Sequence, residues 1–147
     1  MAKAGDGYTQ LLLRQAQMER EHKDRKATRH EESHLQRQCV AWFRLQYPKL
    51  ARLLFAVPNG GGRSKVEAGI MKAEGVTAGV SDLILLVPRG GHGALCIEMK
   101  TDSRSSRQSE AQKEWQKDVE SQGYMYVVVR TLDEFMKVVR DYLSLPC

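Results

Sequence analysis

The chain has 147 residues and a formal net charge of +5, with 41% hydrophobic and 28% charged residues. This is the length and composition of a single globular domain, and no apolar run approaches the ~20 residues that cross a bilayer. The first residues lack the apolar segment of a signal peptide, so we expect a cytoplasmic protein that is neither secreted nor membrane-bound. Three widely spaced cysteines predict free thiols in a reducing compartment, because neither zinc-ligand spacing nor a disulfide framework is present.

The N-terminal residues 1–30 are predicted to form a helical arm. They hold seven Lys and Arg residues against four acids, and helix-forming residues run from 8 to 29. The apolar stripe fades after Met18, which is typical of a solvated helix. The alternative is a basic arm that contacts nucleic acid or a partner subunit. The compact domain is predicted to span residues 31–147.

The first half of this domain alternates between helical and extended patterns. Apolar residues recur first at helical spacing, and proline and glycine then interrupt a short apolar run. The predicted elements are a helix from Leu35 that ends before Pro48, a strand at 52–57, a loop at 58–64 and a helix at 65–74.

The second half predicts a hairpin followed by a crossover. A glycine-rich turn at 88–93 joins two apolar strands, which should therefore pair antiparallel. The strand–helix–strand segment that follows should give a parallel, right-handed connection. The predicted elements are strands at 80–87, 94–99 and 124–129, and helices at about 107–122 and at 132–143. The chain is therefore expected to be an α/β protein with a mixed sheet of about four strands flanked by helices.

Three charged residues stand in or beside the predicted core strands: Asp82, Glu98 and Lys100. Alternation puts Glu98 and Lys100 on one face of their strand, and a hairpin that closes near Gly90 brings Asp82 opposite Glu98. Because two facing carboxylates repel, the residues alone leave three alternatives: a bound divalent cation, an ion pair with Lys100, or a raised pKa on one acid. A cation held by two acids beside a lysine suits phosphodiester hydrolysis.

Five sequence blocks in this order resemble the VRR-NUC family of the PD-(D/E)xK nuclease superfamily. The blocks are residues 32–36, 57–61, 74–83, 97–101 and 109–112, and the resemblance covers about residues 31–143. It implies a restriction-endonuclease-like core behind the N-terminal arm. It also implies an endonuclease that hydrolyses DNA phosphodiester bonds with Mg²⁺, for which Mn²⁺ substitutes.

The resemblance also implies a metal site. Its ligands would be Glu32, Asp82, Glu98 and the backbone carbonyl of Met99, and Glu31 is the alternative to Glu32 because the register of the first helix is open. An oxygen-only ligand set suits Mg²⁺ or Mn²⁺ better than zinc.

Two further residues complete the implied catalytic set with Asp82 and Glu98. Lys100 would position the attacking water, and Gln112 would orient Lys100, the water or a phosphate.

Glycines and basic residues beside the motifs are candidate DNA contacts. The loop at 59–62 and Gly79 would let the backbone approach phosphates, unless these glycines serve turn geometry alone. The basic side chains would neutralise phosphates. The candidates are Asn59, Gly61, Arg63, Lys65, Lys72, Arg104 and Arg107.

Stand-alone enzymes that this chain resembles dimerise and cut branched junctions symmetrically. We therefore expect a homodimer that acts on branched DNA and resolves Holliday junctions. The alternatives are a flap- or nick-processing nuclease and a non-catalytic DNA-binding protein with the same fold. A restriction-type enzyme is not favoured, because no segment long enough for sequence recognition accompanies the motifs.

Overall fold

A computed structural model of the chain describes residues 6–58, 64–103 and 106–147. Within these ranges no helix is both long and apolar enough to cross a membrane. The elements are α1 (Asp6–Gln46), a 3₁₀ turn (Pro48–Leu53), β1 (Leu54–Ala56), α2 (Lys65–Ala73), β2 (Leu83–Leu85), β3 (Leu95–Met99), α3 (Glu110–Ser121), β4 (Met125–Val129) and α4 (Leu132–Ser144).

The four strands form one mixed sheet in the order β1-β2-β3-β4. β1 and β3 both pair antiparallel with β2, and β4 pairs parallel with β3. The turn between β2 and β3 closes through Gly90 and Gly91, which both have positive φ angles, a conformation that glycine adopts without steric cost. The predicted fold class, the hairpin and the parallel crossover are thus confirmed.

α1 is one continuous helix, which joins the helix predicted at 8–29 and the helix predicted from Leu35. The sequence from 8 to 46 contains neither glycine nor proline. Side chains four residues apart also support the helix, as Gln17 donates a hydrogen bond to Glu21 and Arg37 donates one to Ser33. The helix ends at Gln46, before Pro48, as predicted. The division into an arm at 1–30 and a domain at 31–147 stays a prediction.

One face of the sheet carries the main apolar core. α1 contributes Leu35, Cys39 and Phe43, whose spacing of four residues forms a single stripe, and these pack with Phe135 and Val139 of α4. The α4 side chain of Tyr142 donates a hydrogen bond of 2.7 Å to the carbonyl of Val87, which follows β2. α1 and α4 therefore cover the same face of the sheet.

The opposite face is covered by α3 and has a smaller apolar cluster. Val119 and Trp115 of α3 pack on Cys96 and Tyr126. The Trp115 indole N–H donates a hydrogen bond of 3.0 Å to Ser81, which precedes β2.

Two strands are shorter than the sequence predicts. The strand expected at 52–57 begins only at Leu54, because Pro48 starts a 3₁₀ turn that continues to Leu53. The strand expected at 80–87 is reduced to Leu83–Leu85. All three cysteines are free thiols, as predicted.

Candidate active site

The register of the β2–β3 hairpin brings two carboxylates together. Leu83 pairs with Ile97, so the next position along the hairpin sets Asp82 opposite Glu98. Directly opposed residues of an antiparallel pair project to the same side of the sheet. The sequence prediction that Asp82 faces Glu98 is therefore confirmed.

Asp82 is held by the backbone of the neighbouring strand. Its Oδ2 atom accepts a hydrogen bond of 2.8 Å from the backbone N–H of Met99. This bond fixes the carboxylate at the end of β3, where the chain continues to Lys100.

Glu98 is buried and has two polar neighbours at one of its oxygens. The Gln112 amide Nε2 donates a hydrogen bond of 2.5 Å to Glu98 Oε1, and the ammonium of Lys100 lies 3.4 Å from the same atom. The other oxygen, Oε2, is buried and has no hydrogen-bond partner among the described residues. A buried acceptor without a donor is costly, so this atom is suited to a ligand that carries positive charge.

Burial and mutual repulsion shape the ionisation of the two acids. Burial raises the pKa of Asp82, while the N–H of Met99 and the charge of Lys100 act in the opposite direction. Burial and the charge of Asp82 together raise the pKa of Glu98 to about 8. Of the three alternatives that the sequence leaves open, two are combined here: Lys100 lies at ion-pair distance from Glu98, and the pKa of Glu98 is raised.

Glu32 of α1 reaches the same region through a serine. Ser106 donates a hydrogen bond of 2.5 Å to Glu32 Oε1 and accepts one of 2.7 Å from the backbone N–H of Thr101. Arg130 donates a hydrogen bond of 2.5 Å to the carbonyl of Thr101. The segment that follows Lys100 is thereby tied to both α1 and the end of β4.

These residues line one open cavity of about 690 Å³. Its floor is formed at the ends of the central strands β2 and β3, one wall is α1 and another is the start of α3. Each residue of the implied metal and catalytic sets lines it: Glu32, Asp82, Glu98, Met99, Lys100 and Gln112.

The oxygen donors of this cavity fit a hard divalent cation. Asp82 and Glu98 face each other, and Glu98 Oε2 lacks a donor, as a cation ligand requires. Among the residues that the structure describes, no three His, Cys, Asp or Glu side chains are grouped closely enough to hold a metal by themselves. A cation at this pair would therefore complete its shell with carbonyl or water oxygens, which Mg²⁺ readily accepts.

The N-terminus of α3 places Gln112 accurately. Ser109 and Gln112 form a capping box, in which Gln112 Oε1 accepts from the N–H of Ser109 while its Nε2 remains free to donate to Glu98. Gly79 has a φ angle of +83°, and a β-carbon on it would overlap the backbone of Ala111. Gly79 therefore allows the turn before β2 to contact α3. This is the role in turn geometry that the sequence leaves open as the alternative to a phosphate contact.

The candidate DNA contacts divide into described and undescribed residues. Lys65, Lys72 and Arg107 are exposed and lie outside the walls of the cavity. The other candidates, Asn59, Gly61, Arg63 and Arg104, lie outside the described residues.

Sequence reasoning missed several residues of the cavity wall. Arg29, Arg37 and Arg44 of α1 line it, and Ser106 bonds Glu32. The arginines are seven and eight residues apart, a helical spacing that would have placed them on one side of α1. No comparable signal marks Ser106, which lies 74 residues from Glu32.

Comparison with known proteins agrees with this geometry. The family model of the VRR-NUC domain matches residues 16–132. The chain belongs to the VRR-NUC family. A solved structure described as a VRR_NUC domain protein is 31% identical, with a TM-score of 0.68, and the match covers 78% of this chain and 89% of that chain. Among curated proteins, no match is found.

Membership of the VRR-NUC family agrees with the architecture of the sheet. The four-stranded mixed sheet with flanking helices is a PD-(D/E)xK-like core. The domain is of nuclease type.

Proposed function

We propose that this VRR-NUC domain is a DNA endonuclease that hydrolyses phosphodiester bonds with Mg²⁺ or Mn²⁺. The observation that carries the proposal is the pair of facing carboxylates, Asp82 and Glu98, in which Glu98 Oε2 is buried without a donor. Lys100, which lies 3.4 Å from the other oxygen of Glu98, adds the amine that such chemistry needs.

The chain provides the ligands for the cation and the groups around it. Asp82, Glu98 and the Met99 carbonyl would hold the ion, and Glu32, which is not grouped closely enough with them to be a direct ligand here, would face it from α1 across the cavity. The bound ion would lower the pKa of a coordinated water and offset negative charge on the phosphate. Lys100 would orient the attacking water through its ammonium, and Gln112 would hold Glu98 in place through its amide.

We further propose that the enzyme acts as a homodimer on branched DNA and resolves Holliday junctions. Support comes from the N-terminal part of α1, where all described side chains from 9 to 27 are exposed. Leu11, Leu13 and Met18 are among them, at 52%, 65% and 68% exposure. Exposed apolar side chains on a projecting helix suit a contact with a second copy, and two sites related by symmetry could cut a junction on both strands.

A substrate panel tests the nuclease proposal. The purified protein is incubated with labelled four-way junction, flap, nicked and linear duplex DNA, with Mg²⁺, Mn²⁺ or EDTA. We expect metal-dependent cutting with preference for the junction, which is lost in Asp82→Asn and kept in Asp118→Asn, an exposed acid of α3. Full activity of Asp82→Asn would contradict the mechanism. DNA binding without cutting by the unaltered protein would favour the non-catalytic alternative.

Solution mass tests the assembly separately. We expect light scattering to give twice the mass of one chain. A monomer that cuts only flaps would contradict the dimeric resolvase while leaving the nuclease assignment intact.

A further inference from the structure

We propose that Arg29, Arg37 and Arg44 of α1 form a phosphate track that holds the DNA backbone across the candidate active site. The inference rests on the proposed nuclease function and adds the surface by which the substrate is held. All three side chains are exposed, and all three line the cavity that contains Asp82, Glu98 and Lys100.

Helix geometry places the three arginines on one side of α1. At 100° per residue around the helix axis, the three arginines occupy a sector of about 80°. The centre of this sector is about 130° from the centre of the buried stripe of Leu35, Cys39 and Phe43. The packing of α1 on the core therefore turns the phosphate track toward the cavity. α1 thus presents an apolar stripe to the sheet and a basic stripe to the cleft.

Within the part of the chain that the structure describes, the charges of the three arginines are not paired with carboxylates. No carboxylate lies within ion-pair distance of them among the described residues, and the one contact they make is from Arg37 to the hydroxyl of Ser33, at 3.2 Å. Elsewhere on α1, Arg25 is paired with Glu21. Guanidinium groups without carboxylate partners along a cleft can bind phosphates without first breaking an ion pair.

The acids of the site explain why such a track is needed. In their ionised forms, Asp82 and Glu98 repel a phosphate. A DNA substrate therefore needs positive charge nearby in order to approach them. The cations stand exposed at the wall of the cavity, while Glu98 is buried below them. This arrangement attracts the backbone to the wall and leaves the floor for the cation.

The position of Glu32 predicts where the backbone is held. Glu32 lies between Arg29 and Arg37 on the same helix. The distance along α1 from Arg29 to Arg44 is about 22 Å, which matches about six or seven base-pair steps along the axis of a duplex. The phosphate track should therefore contact phosphates on both sides of the bond that is cut, with the longer part on the side of Arg44.

Salt dependence of DNA binding tests the phosphate track. Binding of labelled duplex and junction is measured by fluorescence anisotropy in EDTA, which prevents cutting, over a range of salt concentrations. Each Arg→Ala change should lower the slope of log K against log salt by about 0.9, which is about eightfold in affinity at 0.1 M relative to 1 M salt. The triple variant should lose about 2.7 in slope, or roughly 500-fold.

Two control variants and a folding check sharpen the measurement. Arg20→Ala removes an exposed arginine from the opposite side of α1, outside the cavity, and should leave the slope unchanged. The triple Arg→Lys variant keeps the charge and should restore the slope. Circular dichroism checks folding, and if the triple Arg→Ala variant is unfolded, the three single variants carry the same test.

Phosphate ethylation interference supplies a positional result. We expect interference on both sides of the cut bond, and each single variant should abolish it at a different phosphate. A triple variant with the slope and affinity of the unaltered protein would overturn the phosphate track, even if that variant cuts DNA in a metal-dependent way. If the Arg→Ala variants lower the slope as predicted but the unaltered protein never cuts DNA, the nuclease proposal is overturned and the phosphate track stands.

Discussion

Neighbouring residues of β3 face two different environments, although all five residues of the strand are buried. Leu95, Ile97 and Met99 lie in the apolar core with α1 and α4. Glu98 lies on the face covered by α3, with Gln112 and Lys100 as its polar neighbours. Burial on the first face removes apolar surface from water and stabilises the fold. Burial on the second face removes water from charged groups, which opposes stability and prepares a site.

The largest expected change in stability comes from the apolar face. Ile97→Ala should lower the free energy of unfolding by about 2–5 kcal/mol, because Ile97 is fully buried and its truncation leaves a cavity. Urea denaturation measures the loss. Leu86→Ala, at a side chain that is 52% exposed, is the control and should change stability little. A loss below about 1 kcal/mol for Ile97→Ala would mean that this face is loosely packed.

Substitution of Glu98, which follows Ile97 in the strand, should change the free energy of unfolding in the opposite direction. Its pKa is raised from 4.5 to about 8 in the folded protein, so the folded state binds the proton more tightly than the unfolded state does. The stability that Glu98 contributes is therefore full below about pH 4.5 and is lost as the pH rises to about 8. Without metal at pH 8, Glu98→Gln should raise the free energy of unfolding by on the order of 1 kcal/mol or more.

The pH dependence separates this effect from a general effect of charge. Thermal unfolding in EDTA from pH 4 to 9 should show the advantage of Glu98→Gln shrinking as the pH falls. Glu114→Gln, at an exposed position of α3, should follow the unaltered protein throughout. If Glu98→Gln is less stable than the unaltered protein at pH 8, the two faces of β3 do not differ in the way described.

A smaller effect is expected where α3 supports the polar face. Gln112→Ala removes the hydrogen bond to Glu98 Oε1 and should lower the rate of cutting about 10- to 100-fold, with a higher Mg²⁺ concentration needed for half-maximal rate. Ser109→Ala weakens the same capping box but keeps the amide donor, so its Mg²⁺ requirement should stay unchanged. Equal shifts in both variants would assign Gln112 to helix capping alone.

The smallest expected effect lies at the link between α1 and the segment after Lys100. Ser106→Ala leaves Glu32 without its donor and the N–H of Thr101 without its acceptor, and should cost about 1 kcal/mol of stability. Differential scanning calorimetry measures the loss. Ser121→Ala, which removes an exposed bond to the carbonyl of Asp118, should cost less. Equal losses would show that the link from Glu32 to Ser106 adds nothing to the fold.

The sequence contains the information for the carboxylate pair because it depends on local rules. Alternation along a strand and the position of a glycine turn are enough to place Asp82 opposite Glu98. The length of α1 was harder to predict, because the fading of its apolar stripe resembles a helix end. A helix continues without that stripe where no breaker intervenes and polar side chains support it.

The wall of the cavity could not be predicted from the same rules. The helical spacing of Arg29, Arg37 and Arg44 places them on one side of α1, but only the packing of α1 on the sheet decides that this side faces Asp82. The bond from Ser106 to Glu32 joins residues 74 positions apart, and no local pattern encodes such a contact. Local sequence therefore predicts the strand pair, and tertiary packing supplies its surroundings.

The continuity of α1 couples the two ends of the molecule mechanically. Glu32 lies on the same continuous helix as the exposed residues near Leu11, which are about 30 Å away along the helix axis. Because no glycine or proline between residues 8 and 46 supplies a flexible joint, a torque on the free end is transmitted to Glu32 and not absorbed midway. Tilting the helix by 5° about Glu32 would displace the region of Leu11 by about 3 Å.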